Sequence, residues 1–123
     1  MRYFNKQAQI KSSVLSKDKF VLELKREYAL SCRTGKPFEL ILFSFSNENC
    51  NTAVFLEVLH SRVRTTDIIG WLDKDKLGII LYDADISVSD KFIDSLHEKI
   101  RYIGSAFPKH ETYIYPNSDM LDS

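Results

Sequence analysis

The sequence predicts an α+β domain of two layers, a βαββαβ ferredoxin-like core with an extra N-terminal helix. Two observations carry this. Apolar residues recur at helical or strand period in the order helix, strand, helix, strand, strand, helix, strand. The fourth and fifth of these elements are joined by a polar stretch of hairpin length, Asp73-Lys74-Asp75-Lys76, so they should pair antiparallel. In the split βαβ arrangement the two crossover helices cover one face of a mainly antiparallel sheet, with right-handed connections.

Each element has its own local reason. Ser16 can cap a helix over Lys17 to Arg33 in which Phe20, Leu24 and Tyr28 form one stripe flanked by Val21, and Gly35 followed by Pro37 supplies the stop. Phe38 to Phe45 is a β-prone apolar run that reads as a central strand, bounded by Gly-Lys-Pro and by the polar Ser46 to Asn49. Thr52 to Val63 sets Phe55, Leu59 and Val63 at fourfold spacing, with Leu56 and Val58 widening the face, and ends near Arg64. Ile68 to Leu72 and Leu77 to Tyr82 are the hairpin strands. Ser87 or Ser89 can cap a third helix that buries Phe92, Ile93, Leu96, Ile100 and Ile103 and stops at Gly104. Glu111 to Tyr115 is the last strand, with Tyr113 and Tyr115 on one face and Ile114 on the other.

A chain of 123 residues suffices for one hydrophobic core. The expected organisation is an N-terminal tail over 1–14, one domain over 15–116 and a C-terminal tail over 117–123. Hydrophobic residues at 44% and charged residues at 28% describe a globular protein. Lys plus Arg equals Asp plus Glu, so no net field recommends nucleic acid or an anionic membrane as partner. The N-terminus lacks an apolar signal core and no stretch approaches a membrane span, which points to a cytoplasmic protein without membrane insertion. Cys32 and Cys50 have no metal-ligand spacing and read as free thiols.

The stretch Arg64-Thr65-Thr66-Asp67, then Ile68 to Leu72, then Asp73-Lys74-Asp75-Lys76-Leu77 and Gly78-Ile79-Ile80-Leu81 resembles the signature hairpin of the bacterial GGDEF family. That family has Arg-x-x-Asp at the end of a helix, five residues, the Gly-Gly-Asp/Glu-Glu-Phe turn and an apolar strand. The segment Arg33-Thr34-Gly35-Lys36-Pro37-Phe38 also resembles the family's entry to its first strand, and the likeness spans roughly residues 15 to 115. It implies a nucleotide-cyclase-like fold.

The family joins two GTP molecules into cyclic di-GMP using metal ions held by one carboxylate at the end of the first strand and another in the hairpin turn. Here the first-strand position falls on Ser44, with Ser46 two residues on, and Asp75 is the remaining ligand candidate. Asp73, Lys74, Asp75, Lys76 and Leu77 occupy the five turn positions, putting side chains where the family's glycines let substrate approach. The guanine-reading segment after the first strand is reduced to Asn47 through Asn51. The resemblance therefore implies a degenerate, catalytically inactive domain with neither metal nor other cofactor.

Arg64 and Asp67 match the family's product-inhibition site, where Arg pairs with phosphate and Asp accepts from the guanine edge, and so imply a cyclic di-GMP receptor. The Gly-Trp-Leu variant of the hairpin resembles degenerate domains near bacterial exopolysaccharide sugar transferases, an envelope-polysaccharide context. The rival reading is a protein-interaction module on the same fold with no nucleotide, working through an exposed edge strand or Trp71.

Simpler readings stand beside these. Arg64 at a helix C-terminus is favoured by the helix dipole, and Asp67 can cap a turn. Alternating charge over Asp73 to Lys76 suits a solvated hairpin tip, and Asp73 with Asp75 alone would make a weak metal site. Trp71 suits half-buried sheet packing. His60 and His97 read as helix-surface residues, and no motif connects them with each other or with His110.

Overall fold

The computed structural model describes residues 14–45, 50–64, 66–82 and 86–115, with the backbone alone at 86–88. The elements are α1 (Lys17–Thr34), β1 (Phe38–Ser44), α2 (Thr52–His60), β2 (Ile68–Asp73), β3 (Lys76–Tyr82), α3 (Ile86–Ile103) and β4 (Lys109–Tyr115). The four strands form one sheet in the order β2-β3-β1-β4, antiparallel at every pairing, so the predicted βαββαβ core is observed.

Strand parity divides the interior into two cores. Ile41 and Phe43 of β1 and Leu77, Ile79 and Leu81 of β3 pack against Phe55, Val58 and Leu59 of α2 and Ile93, Leu96 and Ile100 of α3. Residues of the opposite parity, Leu40 and Ile80 among them, pack with Phe20, Leu24 and Tyr28 of α1. The two crossover helices thus share one face, and the extra helix covers the other. Burial on both faces explains why β1 and β3 are apolar at successive positions rather than alternating. Tyr113 and Tyr115 of β4 join the α1 side, where the Tyr115 ring stacks on Phe38 at 5.0 Å between centroids.

The α1 layer is keyed to the hairpin by two glycines. Gly70 of β2 lies opposite Gly78 of β3, and the fully buried Phe20 ring sits in the notch they leave. A Cβ on Gly78 would stand 2.6 Å from Phe20 Cε2 and Cζ, and one on Gly70 2.6 Å from Phe20 Cβ and Cγ. No flexible side-chain end is available to yield, because the obstacle is a packed ring.

Local chemistry shifts several predicted boundaries. Ser16 occupies the N-cap position of α1 without a side-chain capping bond, whereas Gly35 terminates it with φ 78° and an N–H donated to Ser31 O at 2.8 Å. Asn51, whose capping role apolar spacing does not reveal, caps α2 by accepting from Val54 N at 3.1 Å. That helix ends at His60 rather than Val63. The Ser61 hydroxyl donates to Val58 O at 2.6 Å and His60 Nδ1 lies 2.7 Å from Leu56 O, so side chains claim carbonyls of its last turn.

The hairpin strands reach Asp73 and Lys76, leaving the two-residue turn Lys74-Asp75 instead of a four-residue insert, with a register irregularity between Trp71 and Asp73. Helix α3 begins at Ile86, so neither Ser87 nor Ser89 precedes it, and Ser89 is buried within it. Ile103 is 51% exposed, contrary to its predicted burial, because Gly104 ends the helix there with φ 90°. Strand β4 starts two residues early, at Lys109, paired with Ser44.

Phe20→Ala is expected to cost about 3–5 kcal/mol, and Gly78→Ala about 1–3 kcal/mol in the wild-type background but clearly less when combined with Phe20→Ala. A double-mutant cycle by urea unfolding measures this. Additive costs would mean that the ring and the glycines do not oppose one another.

Candidate functional site

Arg64 lies beyond α2, four residues past its last residue, in the turn that leads into β2. It is therefore not placed on the helix dipole. Asp67 N donates to Arg64 O at 3.0 Å, closing the turn, and Arg64 N donates to Asp67 Oδ2 at 2.9 Å. The guanidinium then completes a ring of contacts: Arg64 Nη2 donates to Asp67 Oδ1 at 3.2 Å and to Tyr82 O at 2.8 Å, at the end of β3. The sequence separation from Arg64 to Tyr82 hides this contact, which hairpin pairing creates.

The two partners differ in access. The Arg64 side chain is 52% exposed, whereas that of Asp67 is 2% exposed. Asp67 spends its oxygens on Arg64, and the guanidinium keeps N–H donors toward solvent. Coulomb attraction contributes little at such exposure, so the value of the pair is geometric. The Tyr82 phenol beneath is pushed far above its ordinary range by burial, with its hydrogen bond to Glu27 and the charges of Glu27, Glu23 and Asp67 adding to the effect.

The second candidate region is the end of β1. Ser44 pairs with Lys76 of β3 on one side and with Lys109 of β4 on the other. Residues directly opposite in an antiparallel sheet project from the same face, so two ammonium groups flank the position. Asp73, Lys74, Asp75 and Lys76 are exposed at the hairpin tip, while Leu77 is buried. The tip is held by two backbone N–H donors, Lys74 N to the Asp73 side-chain Oδ1 at 2.8 Å and Phe45 N to Asp75 O at 2.8 Å. Among the described residues no three His, Cys, Asp or Glu side chains cluster as a metal site would require. Among the described residues the several anionic oxygens that a pair of divalent cations needs are therefore not gathered here.

An open cavity of about 580 Å³ adjoins Ser44, lined also by His97, Phe107, Lys109, His110 and the carboxylate-bearing Glu111. The His97 ring lies 4.6 Å and the His110 ring 5.7 Å from that of Phe107. Periodicity gives no hint of this grouping, because the loop between α3 and β4 creates it. His60 is half-buried rather than a surface residue, and its Nε2 is shielded from solvent. Trp71 is half-buried too, 6.3 Å from Phe45 and packed on the α2/α3 core, as sheet packing requires. Cys32 and Cys50 are free thiols. No helix among the described residues is long and apolar enough to cross a membrane.

No family model matches the chain, and no curated protein matches it by sequence. Solved structures do match in fold. A DGC protein from Thermotoga maritima superposes with a TM-score of 0.72 at 17% identity, over 92% of this chain and 95% of that one. The GGDEF domain of YfiN from Pseudomonas aeruginosa gives 0.65 at 14% identity, over 85% and 78%. The GGDEF domain of DgcB from Caulobacter crescentus, in complex with c-di-GMP, gives 0.62 at 11% identity, over 82% and 71%. The fold is that of GGDEF domains.

If Asp67 organises the turn, Asp67→Ala should destabilise the domain by about 1–2 kcal/mol through the lost backbone acceptor. Arg64→Ala should cost less than about 1 kcal/mol, since its charge is half solvated. Denaturant midpoints of the two variants check the ranking, and the reverse order would make Arg64 the organising residue.

Proposed function

We propose that this chain is a non-catalytic regulatory domain on the GGDEF fold, and that it recognises cyclic di-GMP through Arg64 with Asp67 as the positioning residue. The observation that carries the reading is the contrast between the two ends of the hairpin. At one end a serine between two lysines stands where the family's resemblance calls for a cation-holding carboxylate. At the other an arginine is fixed by Asp67 and Tyr82 O while half its side chain faces solvent.

Such an arginine suits a phosphodiester. Its fork is already oriented, so less side-chain entropy is lost when a doubly hydrogen-bonded anion arrives, and a planar guanidinium can also lie against a purine face. Asp67 would contribute by orienting Arg64. To accept from a guanine edge as well, it would first have to turn out of the position in which it is 2% exposed.

That same burial favours a second reading, a protein-interaction module for which Arg64 and Asp67 are only a turn. The two readings part on ligand linkage, since a ligand selective for the folded state must raise the melting temperature. Calorimetric titration of cyclic di-GMP into wild type and Arg64→Ala, with GTP as control, decides between them. Dissociation constants on the order of micromolar for wild type, lost in the variant, are expected. Equal heats for both proteins, or none for either, would leave the interaction module.

A further inference from the structure

The two edges of the sheet differ. On the outer side of β2, Leu15 forms a parallel bridge with Gly70; its N–H donates to Ile69 O at 2.8 Å and its carbonyl accepts from Trp71 N at 2.9 Å. Among the described residues no strand lies beyond β4. That strand pairs with β1 from Lys109 to Tyr115 without a register shift, and a regular edge free of bulges is a template for a further strand.

The bonds already made fix which backbone groups of β4 point outward. Ile69 and Trp71 turn theirs to Leu15, so Ile68 and Gly70 bond Ile80 and Gly78 of β3, and Leu77, Ile79 and Leu81 bond β1. Phe45 N, donating to Asp75 O at 2.8 Å, continues the same alternation. The even-numbered residues of β1 therefore bond Lys109, Glu111, Tyr113 and Tyr115, and the N–H and carbonyl groups of His110, Thr112 and Ile114 face away from the sheet. The side chains of these residues stand on the α2/α3 face beside Phe43, Ile41 and Glu39, and all are exposed, Ile114 at 37%.

We propose that two copies of this chain pair through β4, antiparallel about a two-fold axis at Thr112, into one continuous sheet. The edge is self-complementary in that register. His110 meets Ile114 and Thr112 meets Thr112 of the second copy, so every outward N–H and carbonyl of these residues is used. A pairing centred on Glu111 would set two carboxylates opposite each other and Ile114 opposite Pro108, which has no N–H. One centred on Tyr113 would set His110 opposite Pro116, equally without a donor. Pro108 and Pro116 stand equally far from Thr112 in sequence, so the ladder centred there stops on a proline at both ends of both strands. Lys109 then faces Tyr115 and Glu111 faces Tyr113 of the second copy, with no like charges directly opposite. The two Glu111 residues meet only diagonally, about 7–8 Å apart. Each of these carboxylates accepts from the Tyr113 hydroxyl of its own strand at 3.1 Å.

Sedimentation velocity of the full chain should show a monomer–dimer equilibrium. Thr112→Pro removes only an outward N–H and Thr112→Lys sets like charges together at the axis, and each should raise the dissociation constant about tenfold or more. An equimolar mixture of Thr112→Lys and Thr112→Glu chains should recover the dimer, because residue 112 faces itself. Circular dichroism of the dilute variants checks that each is folded. In the wild type, which needs no such check, amide exchange at His110, Thr112 and Ile114 should slow as protein concentration rises, while Glu111 and Tyr113, bonded to β1, stay protected throughout. A monomer at about 1 mM protein, a dimer indifferent to both substitutions, or no recovery on mixing would overturn the proposal. Protection of the His110, Thr112 and Ile114 amides in the monomer would also overturn it, by placing a segment of the same chain on this edge.

Discussion

The contact between the Phe20 ring and the Gly70–Gly78 pair is the constraint on which the remaining geometry rests. It seats α1 against the hairpin at the one place where both strands lack a Cβ, so the helix approaches the sheet more closely than any other side chain would allow. With α1 fixed there, Leu15 falls beside β2 and Leu24 and Tyr28 follow along the same face toward Tyr115. The hairpin, held between α1 and the α2/α3 core, then brings Tyr82 O to Arg64 and the backbone of Asp75 to Phe45. One packing notch thus connects the helix that precedes the core to both ends of the hairpin.

Fold and chemistry separate clearly in this molecule. The sheet order and crossover arrangement match GGDEF domains at identities of 11–17%, which is a statement about backbone architecture. At the end of β1 a serine is flanked in register by Lys76 and Lys109, and the exposed turn carries side chains on a two-residue loop. The proposal of recognition rather than turnover rests on this arrangement.

Periodicity made the order and type of every element readable, because two buried sheet faces and amphipathic helices leave strong apolar patterns. Other features were not readable, each for a physical reason. Gly70 and Gly78 look like ordinary strand glycines until the hairpin register sets them opposite each other beneath an aromatic ring from another layer. The early end of α2 depends on Ser61 and His60 turning back onto carbonyls, a competition that apolar spacing does not record. Arg64 and Asp67 could be picked out by their distance from the hairpin. Their unequal exposure arises from tertiary contacts that no local pattern encodes. His97 and His110 meet around Phe107 only because the chain reverses between α3 and β4.

The central claim, that the fold is kept while its phosphoryl chemistry is absent, is tested most directly by incubating the purified chain with GTP and magnesium or manganese and following nucleotide products by chromatography. The account predicts unchanged GTP and no cyclic dinucleotide at any metal concentration. Metal-dependent formation of cyclic di-GMP, abolished by Asp75→Ala, would contradict it and would mean that a cation can be held at the end of β1 despite Lys76 and Lys109.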